Sequence, residues 1–395
     1  MSVTGPDASH VVPNRVISAL GLLALALVWL LDVGTIQPNR IVPGTGHGLV
    51  SAVGWGGAAL VTAMLAGSIL LAFLKVRGRY LILLALVGLS LALLPLLLDV
   101  FAARHLPEDA PYARSSIAAG FWCLLFLLSL MLIEILGQLG SRREIQLLLL
   151  VVIGGSWLMF LQSDGLESLS LVREFNARPA KFEQAFWTHL ALAFGAVAIS
   201  AALAFGLALK MMRSPGWQRP ILGFVSFLQT IPSLAVFGLL IAPLSALVAA
   251  FPALEALGIR GIGWTPALLA LVAYSLLPMV RNTFVALTEV PENLADAGRG
   301  MGMNERQLFF QLKLPLALPV IIEGVRITTI QAIGLTAVAA LIGAGGFGSF
   351  IFQGLGQAAM DLVLLGALPT IALALLADAV FTMLAASLKP TPATA

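Results

Sequence analysis

Long apolar runs, separated by short polar stretches, constrain this chain more than any other feature of its sequence. Of its 395 residues, 59% are hydrophobic and only 10% are charged, whereas soluble globular chains average about 25% charged residues. A charge near the centre of a membrane-spanning helix costs about 2.5–3.5 kcal/mol, which explains why the charges are confined to the connections. The pattern predicts an all-α polytopic membrane protein, and no basic block is long enough to indicate a nucleic-acid partner.

We predict about ten transmembrane helices, five on each side of a polar stretch at 162–184, because about 18 apolar residues suffice to cross the hydrocarbon core. The predicted spans are Val16–Leu31, Leu49–Leu74, Leu81–Leu98, Ile117–Gly137, Ile145–Leu161, Thr188–Leu209, Ile221–Ile241, Trp264–Val280, Val320–Ile342 and Leu362–Leu384. No small-residue cleavage pattern follows the first run, so we expect an uncleaved span rather than a signal peptide. The chain is thus divided into an N-terminal membrane extension (1–184), a second membrane domain (185–389) and a tail (390–395).

The Lys and Arg residues of the short loops predict which side of the membrane each loop faces. If the N-terminus is cytoplasmic, both halves independently place most of their positive residues inside. Trp187, Trp217 and Trp264 lie near the ends of spans, where amphipathic rings at headgroup level are expected. We therefore expect a multi-pass protein with its N-terminus in the cytoplasm.

The polar stretch at 287–319, on the predicted cytoplasmic side, has helix signals of its own. Pro291 suits the first turn of a short helix, which glycines up to Gly302 would close. Asn304 then reads as an N-cap, with Gln307 in the capping-box position three residues later. The spacing predicts two short helices joined at a glycine.

The second of these helices is predicted to run to Leu314, where Pro315 would end it. Leu308 and Leu312 share one face of it at i, i+4 spacing. That apolar face favours docking onto a cytoplasmic partner, whereas the alternative is a surface loop that packs against its own bundle.

The same stretch resembles the EAA loop of ABC importer permeases, which has a Glu-Ala-Ala start, a glycine four residues after the second alanine and a closing Leu-Pro. Asp296 replaces the glutamate and Gly298 replaces the second alanine, while Gly302 and the closing dipeptide fit. The candidate ATPase-coupling residues are Asp296, Ala297, Gly298, Gly302, Arg306, Leu314 and Pro315.

Three further stretches are similar to one branch of that superfamily, the glycine betaine/carnitine/choline permeases. They are Gln229–Ala235, Leu277–Thr283 and Ala340–Gly348. With the loop, the resemblance covers about 188–387, and longer members of the branch carry an extra N-terminal membrane region. The resemblance implies the membrane-spanning subunit of an ABC importer for a quaternary-amine compatible solute such as glycine betaine, choline or carnitine.

In such permeases the last five helices form a type I importer core, and movement of the loop drives alternating access. The implied partners are a cytoplasmic ATP-binding subunit, an extracytoplasmic solute-binding protein, a second permease copy or paralogous permease, and the lipid of the bacterial inner membrane. This chain has no G-x-x-x-x-G-K-[ST] motif, so ATP must be hydrolysed by another subunit. The chain itself is expected not to be an enzyme and to hold no cofactor.

Candidate residues for a hinge or for the transport pathway are Thr230, Pro232, Ser233, Pro278, Gly343 and Gly345. A proline near the middle of a span frees a backbone carbonyl and kinks the helix, and a packed structural kink is the alternative. Gly343–Gly348 satisfies G-x-G-x-x-G, but it follows an apolar span rather than a strand. A glycine-rich outer turn beside the pathway is the better interpretation.

Acidic residues within or near spans are functional candidates by default. Glu323 and Arg326, three apart on one helix, favour a local ion pair over a substrate site. Asp378 is a candidate for meeting a cation in transit, and Glu134 is expected to reach water at a cytoplasmic helix end.

Histidines and aromatic residues offer no obvious binding site. His10, His47, His105 and His189 are scattered along the sequence, so we expect no metal site. Trimethylammonium groups are commonly held by aromatic faces, and we expect no clustered aromatic residues in the second half that would form such a cage. Recognition would then reside mainly in the binding protein.

Three alternatives stay open from sequence alone. Within the ABC class, the solute could be another trimethylated amine such as ergothioneine. A gradient-driven secondary transporter would need ion sites in matching positions of inverted repeats, and we find no shared motif between the halves. A membrane enzyme would need clustered acids, histidines or a nucleophile, and none is visible.

Overall fold

A computed structural model describes residues 13–40, 42–74, 76, 78–106, 112–140, 143–161 and 166–388. The chain divides into two compact units, Met1–Ala177 and Arg178–Ala395. His10 and the predicted tail at 390–395 lie outside the described residues.

The first unit is a bundle of apolar helices with a small sheet. Its elements are α1 (Arg15–Leu30), β1 (Gly34–Gln37), β2 (Thr45–His47), α2 (Leu49–Phe73), α3 (Arg79–His105), β3 (Arg114–Ile117), α4 (Ala119–Leu139), α5 (Arg143–Leu161) and α6 (Ser170–Asn176). Helix α1 packs against α2 and α4, and α3 packs against α2, α4 and α5. Ile17, Phe101, Phe121 and Met131 are among its fully buried side chains.

Asn14 fixes the start of α1 and ties it to α4. Its side-chain oxygen accepts a hydrogen bond from the Ile17 N–H at 3.0 Å, which satisfies one of the unpaired donors of the first turn. Its amide donates to Glu134 at 2.9 Å, and Gln138 donates to the same carboxylate oxygen at 2.9 Å. Glu134 is therefore a half-buried hydrogen-bond acceptor between two helices.

A three-stranded antiparallel sheet, in the order β2-β1-β3, joins the helix connections of this unit. Glu174 of α6 lies beside it, 3% exposed, and pairs with Arg40 at 2.8 Å and with Arg114 at 3.0 Å. The sequence did not predict this sheet, because strands of three or four residues are too short to display a readable period.

His47 and His105, which are far apart in the sequence, lie side by side in the structure. Their ring centroids lie 4.3 Å apart, and Ser51 lies between them, 2.9 Å from His47 Nδ1 and 3.4 Å from His105 Nε2. Burial lowers the pKa of His47 below its usual value, the charge of His105 lowers it further, and Asp32 opposes both. Within the described ranges, no three His, Cys, Asp or Glu residues lie close enough together to hold a metal ion.

The second unit is built around three mutually packed helices, α7, α11 and α14, with α16 against α14 and α15. Its elements are α7 (Pro179–Arg213), α8 (Gln218–Thr230), α9 (Ser233–Ala250), α10 (Ala253–Ala256), α11 (Trp264–Thr288), α12 (Glu292–Gly300), α13 (Glu305–Gln307), α14 (Leu314–Ala339), α15 (Gly348–Gly356) and α16 (Met360–Ser387). Small residues at helical spacing, including Ala196, Ser200, Ala204 and Ala208, form the buried face of α7. Such residues let neighbouring helix backbones approach closely.

Eight helices within the described residues are long and apolar enough to cross a membrane. They are Leu49–Phe73, Arg79–His105, Ala119–Leu139, Pro179–Arg213, Ser233–Ala250, Trp264–Thr288, Glu305–Ile342 and Met360–Ser387, and Arg15–Leu30 and Val151–Leu161 are shorter apolar helices. The helical polytopic fold class is confirmed. The predicted continuous span Ile221–Ile241 is wrong, because the helix breaks within it, and the predicted span Val320–Ile342 belongs to a helix that starts at Glu305.

Candidate functional site

The break between α8 and α9 lies at three of the predicted pathway residues. Thr230 ends α8, Ser233 begins α9, and Pro232 lies between them with extended backbone at Ile231. Proline has no N–H to donate and disfavours helical backbone in the residue before it, so the helix ends here rather than bending. The predicted kink is therefore a full interruption.

A reciprocal pair of hydrogen bonds holds this break against α11. The Tyr274 hydroxyl donates to the backbone carbonyl of Ile231. In return, the side-chain amide of Gln229 donates to the backbone carbonyl of Tyr274 at 2.7 Å. That carbonyl has no helical N–H partner, because the residue four positions later is Pro278.

We call this arrangement the Gln229–Tyr274 clamp. It joins two proline interruptions on different helices, and Tyr274 is 8% exposed within it. Gln229 lay within a quoted motif, but Tyr274 was missed. Its sequence signal is a tyrosine four residues before a proline inside an apolar run.

Helices α8 and α9 bury little of their surface within the chain. In α8 only Val225 is buried, and in α9 only Val236 and Phe237 are buried. Phe227 and Leu239 are 60% and 63% exposed. These two helices therefore present an apolar surface to lipid, to the pathway or to another subunit.

The glycine-rich stretch forms a tight turn between α14 and α15. Gly343, Gly345 and Gly346 have φ angles of 79°, 83° and 76°, which side chains strongly disfavour. His189 of α7, fully buried, donates from Nε2 to the Ile333 carbonyl at 3.1 Å and accepts the Phe347 N–H on Nδ1 at 3.3 Å. The predicted turn is confirmed, and the fixing histidine was not predicted.

Aromatic side chains of the second unit form a packed cluster around Phe347. Phe182 lies 5.3 Å from Phe347 and 6.2 Å from Phe350, ring centroid to centroid, and Phe186 lies 5.1 Å from Trp187. The rings that meet at Phe347 come from α7 and from the α15 region, which are far apart in sequence, so the sequence does not reveal their contact. Phe347 and Phe350 are 0% and 3% exposed, so this cluster is packed core rather than an open cage.

An ionic triad connects α14 to α16. Arg326 pairs with Glu323 at 2.8 Å, which confirms the predicted local ion pair. It also pairs with Asp378 at 2.8 Å. The carboxylate proposed to meet a cation in transit is therefore already bound to a protein cation.

The loop at 287–319 has the predicted glycine joint between its two helices, at Gly302, and the predicted N-cap at Asn304. Helix α12 ends at Gly300, and Gly302 has a φ of 83°, which positions the chain for a new helix. Asn304 accepts the Gln307 N–H at 2.9 Å, and the Gln307 side chain accepts the Asn304 N–H at 2.9 Å. The predicted capping box is confirmed.

The prediction that this second helix ends at Leu314–Pro315 is wrong. Helix α13 passes into a π-helical turn at Leu308–Lys313, in which the Leu314 N–H donates to the Phe309 carbonyl five residues earlier. Pro315, which has no N–H to donate, follows this register shift directly and lies in the first turn of α14. One helix therefore continues from Glu305 to Ile342.

Leu308 and Leu312 point into the loop instead of towards a partner, which corrects the predicted docking face. Leu308 is 1% exposed. A Cβ atom at Gly298 would approach Leu308 Cδ1 to 2.8 Å and Leu312 Cδ2 to 3.6 Å. Gly298 therefore lets α12 lie directly on the second helix, at a distance where the Cβ of an alanine would require Leu308 to move.

Other side chains form the outer surface of the loop. Met301 and Phe310 are 73% and 56% exposed, and Ala297, Arg306 and Pro315 are also exposed. Arg299 crosses the joint, pairing with Glu305 at 3.2 Å and with Asp296 at 2.8 Å. The hydrogen bonds of Arg299 raise its pKa above the usual value, and the bond to Glu305 contributes more than the bond to Asp296.

These features define a membrane transport permease. The sequence at 196–390 matches the family described as binding-protein-dependent transport system inner membrane component. Residues 14–172 match the ABC transporter permease YehY, N-terminal domain.

Several curated relatives are similar to this chain. The carnitine transport permease protein OpuCB of Listeria monocytogenes is 38% identical over 192 residues, covering 49% of this chain and 81% of that protein. The osmoprotectant import permease protein OsmW of Salmonella typhimurium is 39% identical over 202 residues, covering 51% and 89%. The ergothioneine transport permease/ergothioneine binding protein EgtU of Helicobacter pylori is 40% identical over 158 residues, covering 40% and 26%.

The chain belongs to the binding-protein-dependent transport system inner membrane component family. It is a multi-pass permease subunit of an ABC importer, a transport component and not an enzyme. Importers of this family work with an ATPase and with a binding protein.

The glycine turn yields a direct test of close helix packing. A Cβ atom at Gly348 would lie well inside van der Waals contact of the Ala337 carbonyl oxygen, whereas a Cβ at Gly356 of the same helix meets no heavy atom within 4 Å. Gly348→Ala should therefore lower the free energy of unfolding by about 1–3 kcal/mol, as overpacking does. Thermal midpoints of the purified protein in detergent, with Gly356→Ala as control, measure the difference. Equal midpoints for the two variants would contradict the packing described here.

Proposed function

We propose that this permease carries a small quaternary-amine compatible solute, such as glycine betaine, choline or carnitine, into the cell. The observation that supports the proposed transport mechanism is the continuity of one helix, which is capped by Asn304 and runs from Glu305 to Ile342. The names of the relatives OpuCB and OsmW support the class of solute. The N-terminus is proposed to be cytoplasmic, with a membrane extension at 1–184 and a transport domain at 185–389.

In the proposed coupling step, a cytoplasmic ATP-binding subunit binds the loop at 287–319. Because the second loop helix has no break before α14, a force on the loop moves a membrane-spanning helix as one body. The left-handed Gly302 lets α12 and the second helix keep a fixed angle. The proposed coupling residues are Asp296, Ala297, Gly298, Gly302, Arg306, Leu314 and Pro315.

The proposed pathway passes the break between α8 and α9. A trimethylammonium group has no N–H to donate, so it is attracted to carbonyl oxygens and to aromatic faces. The Gln229–Tyr274 clamp holds two such carbonyls, those of Ile231 and Tyr274, beside a tyrosine ring. If the spans tilt, opening of the clamp would expose these groups to a cation. The proposed hinge or pathway residues are Thr230, Pro232, Ser233, Pro278, Gly343 and Gly345.

Two further partners complete the proposed transporter. An extracytoplasmic solute-binding protein delivers the solute, and a second copy of this permease or a paralogous permease forms the other half of the pathway. The apolar surface of α8 and α9, including Phe227 and Leu239, supports such pairing because the described residues leave it exposed.

Ergothioneine, another trimethylated amine, is the second candidate solute. It is favoured by the similarity to EgtU, which covers only 26% of that protein. Both candidates share a quaternary ammonium group, so the same carbonyl and aromatic chemistry would serve either of them.

Solute-stimulated ATP hydrolysis tests the proposed function directly. The complete complex, with its ATPase and binding protein, would be reconstituted and supplied in turn with glycine betaine, choline, carnitine, ergothioneine and proline. We expect at least one of the first three to stimulate hydrolysis and proline to have no effect. Stimulation by ergothioneine alone would select the second candidate, and no response to any quaternary amine would refute the proposed solute class.

The joint of the loop provides a test of coupling with a matched control. Neither Gly302 nor Gly300 has a heavy atom within 4 Å of its added Cβ, but only Gly302 has a positive φ, 83°. An alanine in that conformation costs about 1–2 kcal/mol. Gly302→Ala should therefore reduce solute uptake several-fold with membrane insertion unchanged, while Gly300→Ala should transport normally. Uptake in proteoliposomes measures both, and equal uptake would show that the joint does not matter.

A further inference from the structure

The ionic triad of Arg326, Glu323 and Asp378 lies well inside the membrane-spanning part of the second unit. The apolar run 314–322 precedes Glu323 on α14, and the uncharged run 379–388 follows Asp378 on α16. Nine helical residues correspond to about 14 Å along the helix axis. The two carboxylates therefore lie at a similar depth, beyond the level at which charged side chains end each helix.

One arginine serves both carboxylates of this triad. Arg326 Nε lies 2.8 Å from Asp378 Oδ1, and Arg326 Nη1 lies 2.8 Å from Glu323 Oε2. The second oxygen of each carboxylate forms no hydrogen bond with the described residues. Arg281 of the neighbouring α11 is exposed and belongs to none of the ion pairs in the described part of the chain. The triad thus carries one net negative charge.

The triad lies on a face of α14 and α16 that the described residues leave partly uncovered. The side chains of Arg326, Glu323 and Asp378 are 30%, 38% and 42% exposed. Ile327, four residues after Glu323, is 53% exposed, and Leu375, three residues before Asp378, is 65% exposed. Hydrocarbon solvates a net charge very poorly, so this face borders a water-filled path or another protein surface.

Helix α14 connects this face to the Gln229–Tyr274 clamp. Leu335 of α14 packs against the same apolar cluster as Ile231 and Tyr274. It follows Glu323 by twelve residues, which correspond to about 18 Å along the helix. The triad therefore lies between the clamp and the loop at 287–319, and a solute that has passed the clamp would reach the depth of the triad next.

We propose that Glu323 and Asp378 bind the quaternary ammonium group of the solute as it crosses the membrane, and that Arg326 holds the two carboxylates in position. The chemical class of the solute rests on the proposed function, whereas the preference for a cation rests on the charge of the triad. A trimethylammonium group has no N–H, so it does not need the oxygens that Arg326 occupies. One unit of net charge attracts the cation and still permits its release, as transport requires.

A second copy of this chain is a less suitable occupant of the face. Two copies related by two-fold symmetry present the same surface to each other. Their triads would bring two net negative charges together, which is unfavourable without a cation between them. Charge complementarity thus favours a cationic solute as the group that meets Glu323 and Asp378.

A thiol reagent that carries a trimethylammonium group tests the site without requiring the identity of the solute. The intact complex in nanodiscs would carry Cys123→Ser, which removes the single cysteine of the chain, and Ile327→Cys as the reporter. Glu323→Gln should slow the reaction of position 327 with trimethylammonium-ethyl methanethiosulfonate by about threefold or more, because one charge is lost a few Å away. The neutral methyl methanethiosulfonate should react at the same rate with both proteins.

Two control variants separate charge from structure. Glu323→Asp keeps the charge and should keep the faster reaction. Glu255→Gln removes a carboxylate that is 61% exposed on α10 and should change neither rate. Equal thermal midpoints and equal ATP hydrolysis without solute establish that the variants are folded and assembled.

Uptake in proteoliposomes provides the functional part of the test. With a quaternary amine that the unmodified complex transports, Glu323→Gln should reduce uptake several-fold, and Glu323→Asp should retain most of it. Failure of the unmodified complex to transport any quaternary amine would refute the proposed solute class, and the rates at position 327 would then decide the cation site alone.

Three results would overturn the proposed cation site. They are equal rates of the cationic reagent with and without Glu323→Gln, no reaction of position 327 with either reagent, and a disulfide between the two copies at position 327. The second would place the face against lipid or a covering protein, and the third would identify it as an interface between permease subunits.

Discussion

The structure of the second unit depends on one constraint: every backbone N–H and carbonyl within the hydrocarbon needs a partner inside the protein. An unpaired group there costs several kcal/mol. Four places in the described part of this unit show how freed backbone groups are paired or the helical register is shifted, three among the membrane helices and one in the loop at 287–319. Tyr274 binds the carbonyl freed at Ile231, Gln229 binds the carbonyl freed by Pro278, and His189 accepts the N–H of Phe347. The π-helical turn at Leu308–Lys313 shifts the hydrogen-bond register of the helix just before Pro315.

These hydrogen-bonded arrangements differ in how easily a movement between helices breaks them, and that difference bears on the proposed transport mechanism. The π-helical turn lies within one helix, so in the proposed mechanism movement of the loop would pass along that helix without a hinge. The Gln229–Tyr274 clamp is made of two side-chain bonds between different helices, so relative movement of those helices breaks it. In the proposed mechanism, the helix from Glu305 to Ile342 is continuous where the ATPase would act on it, and the proposed pathway is interrupted where a solute would pass.

Much of this architecture could be predicted from sequence because apolar runs, capping residues and glycine-rich turns act locally. The Asn304–Gln307 capping box and the turn at Gly343 are examples. The failures involve contacts between distant segments. A proline predicts a freed carbonyl but not which side chain will bind it, so Tyr274 was missed. Pro315 predicts a helix end, whereas the structure has a register shift by a π-helical turn, which leaves no sequence signal.

The central claim is that a separate ATPase moves this permease through the loop at 287–319. A photo-crosslinking residue at Met301, which is 73% exposed beside the joint, reports this contact directly in the intact complex. The account predicts a crosslink to the ATP-binding subunit whose yield changes between nucleotide-free and ATP-bound states. Labelling of position 301 from outside the cell by an impermeant reagent, or no crosslink to that subunit in either state, would contradict it.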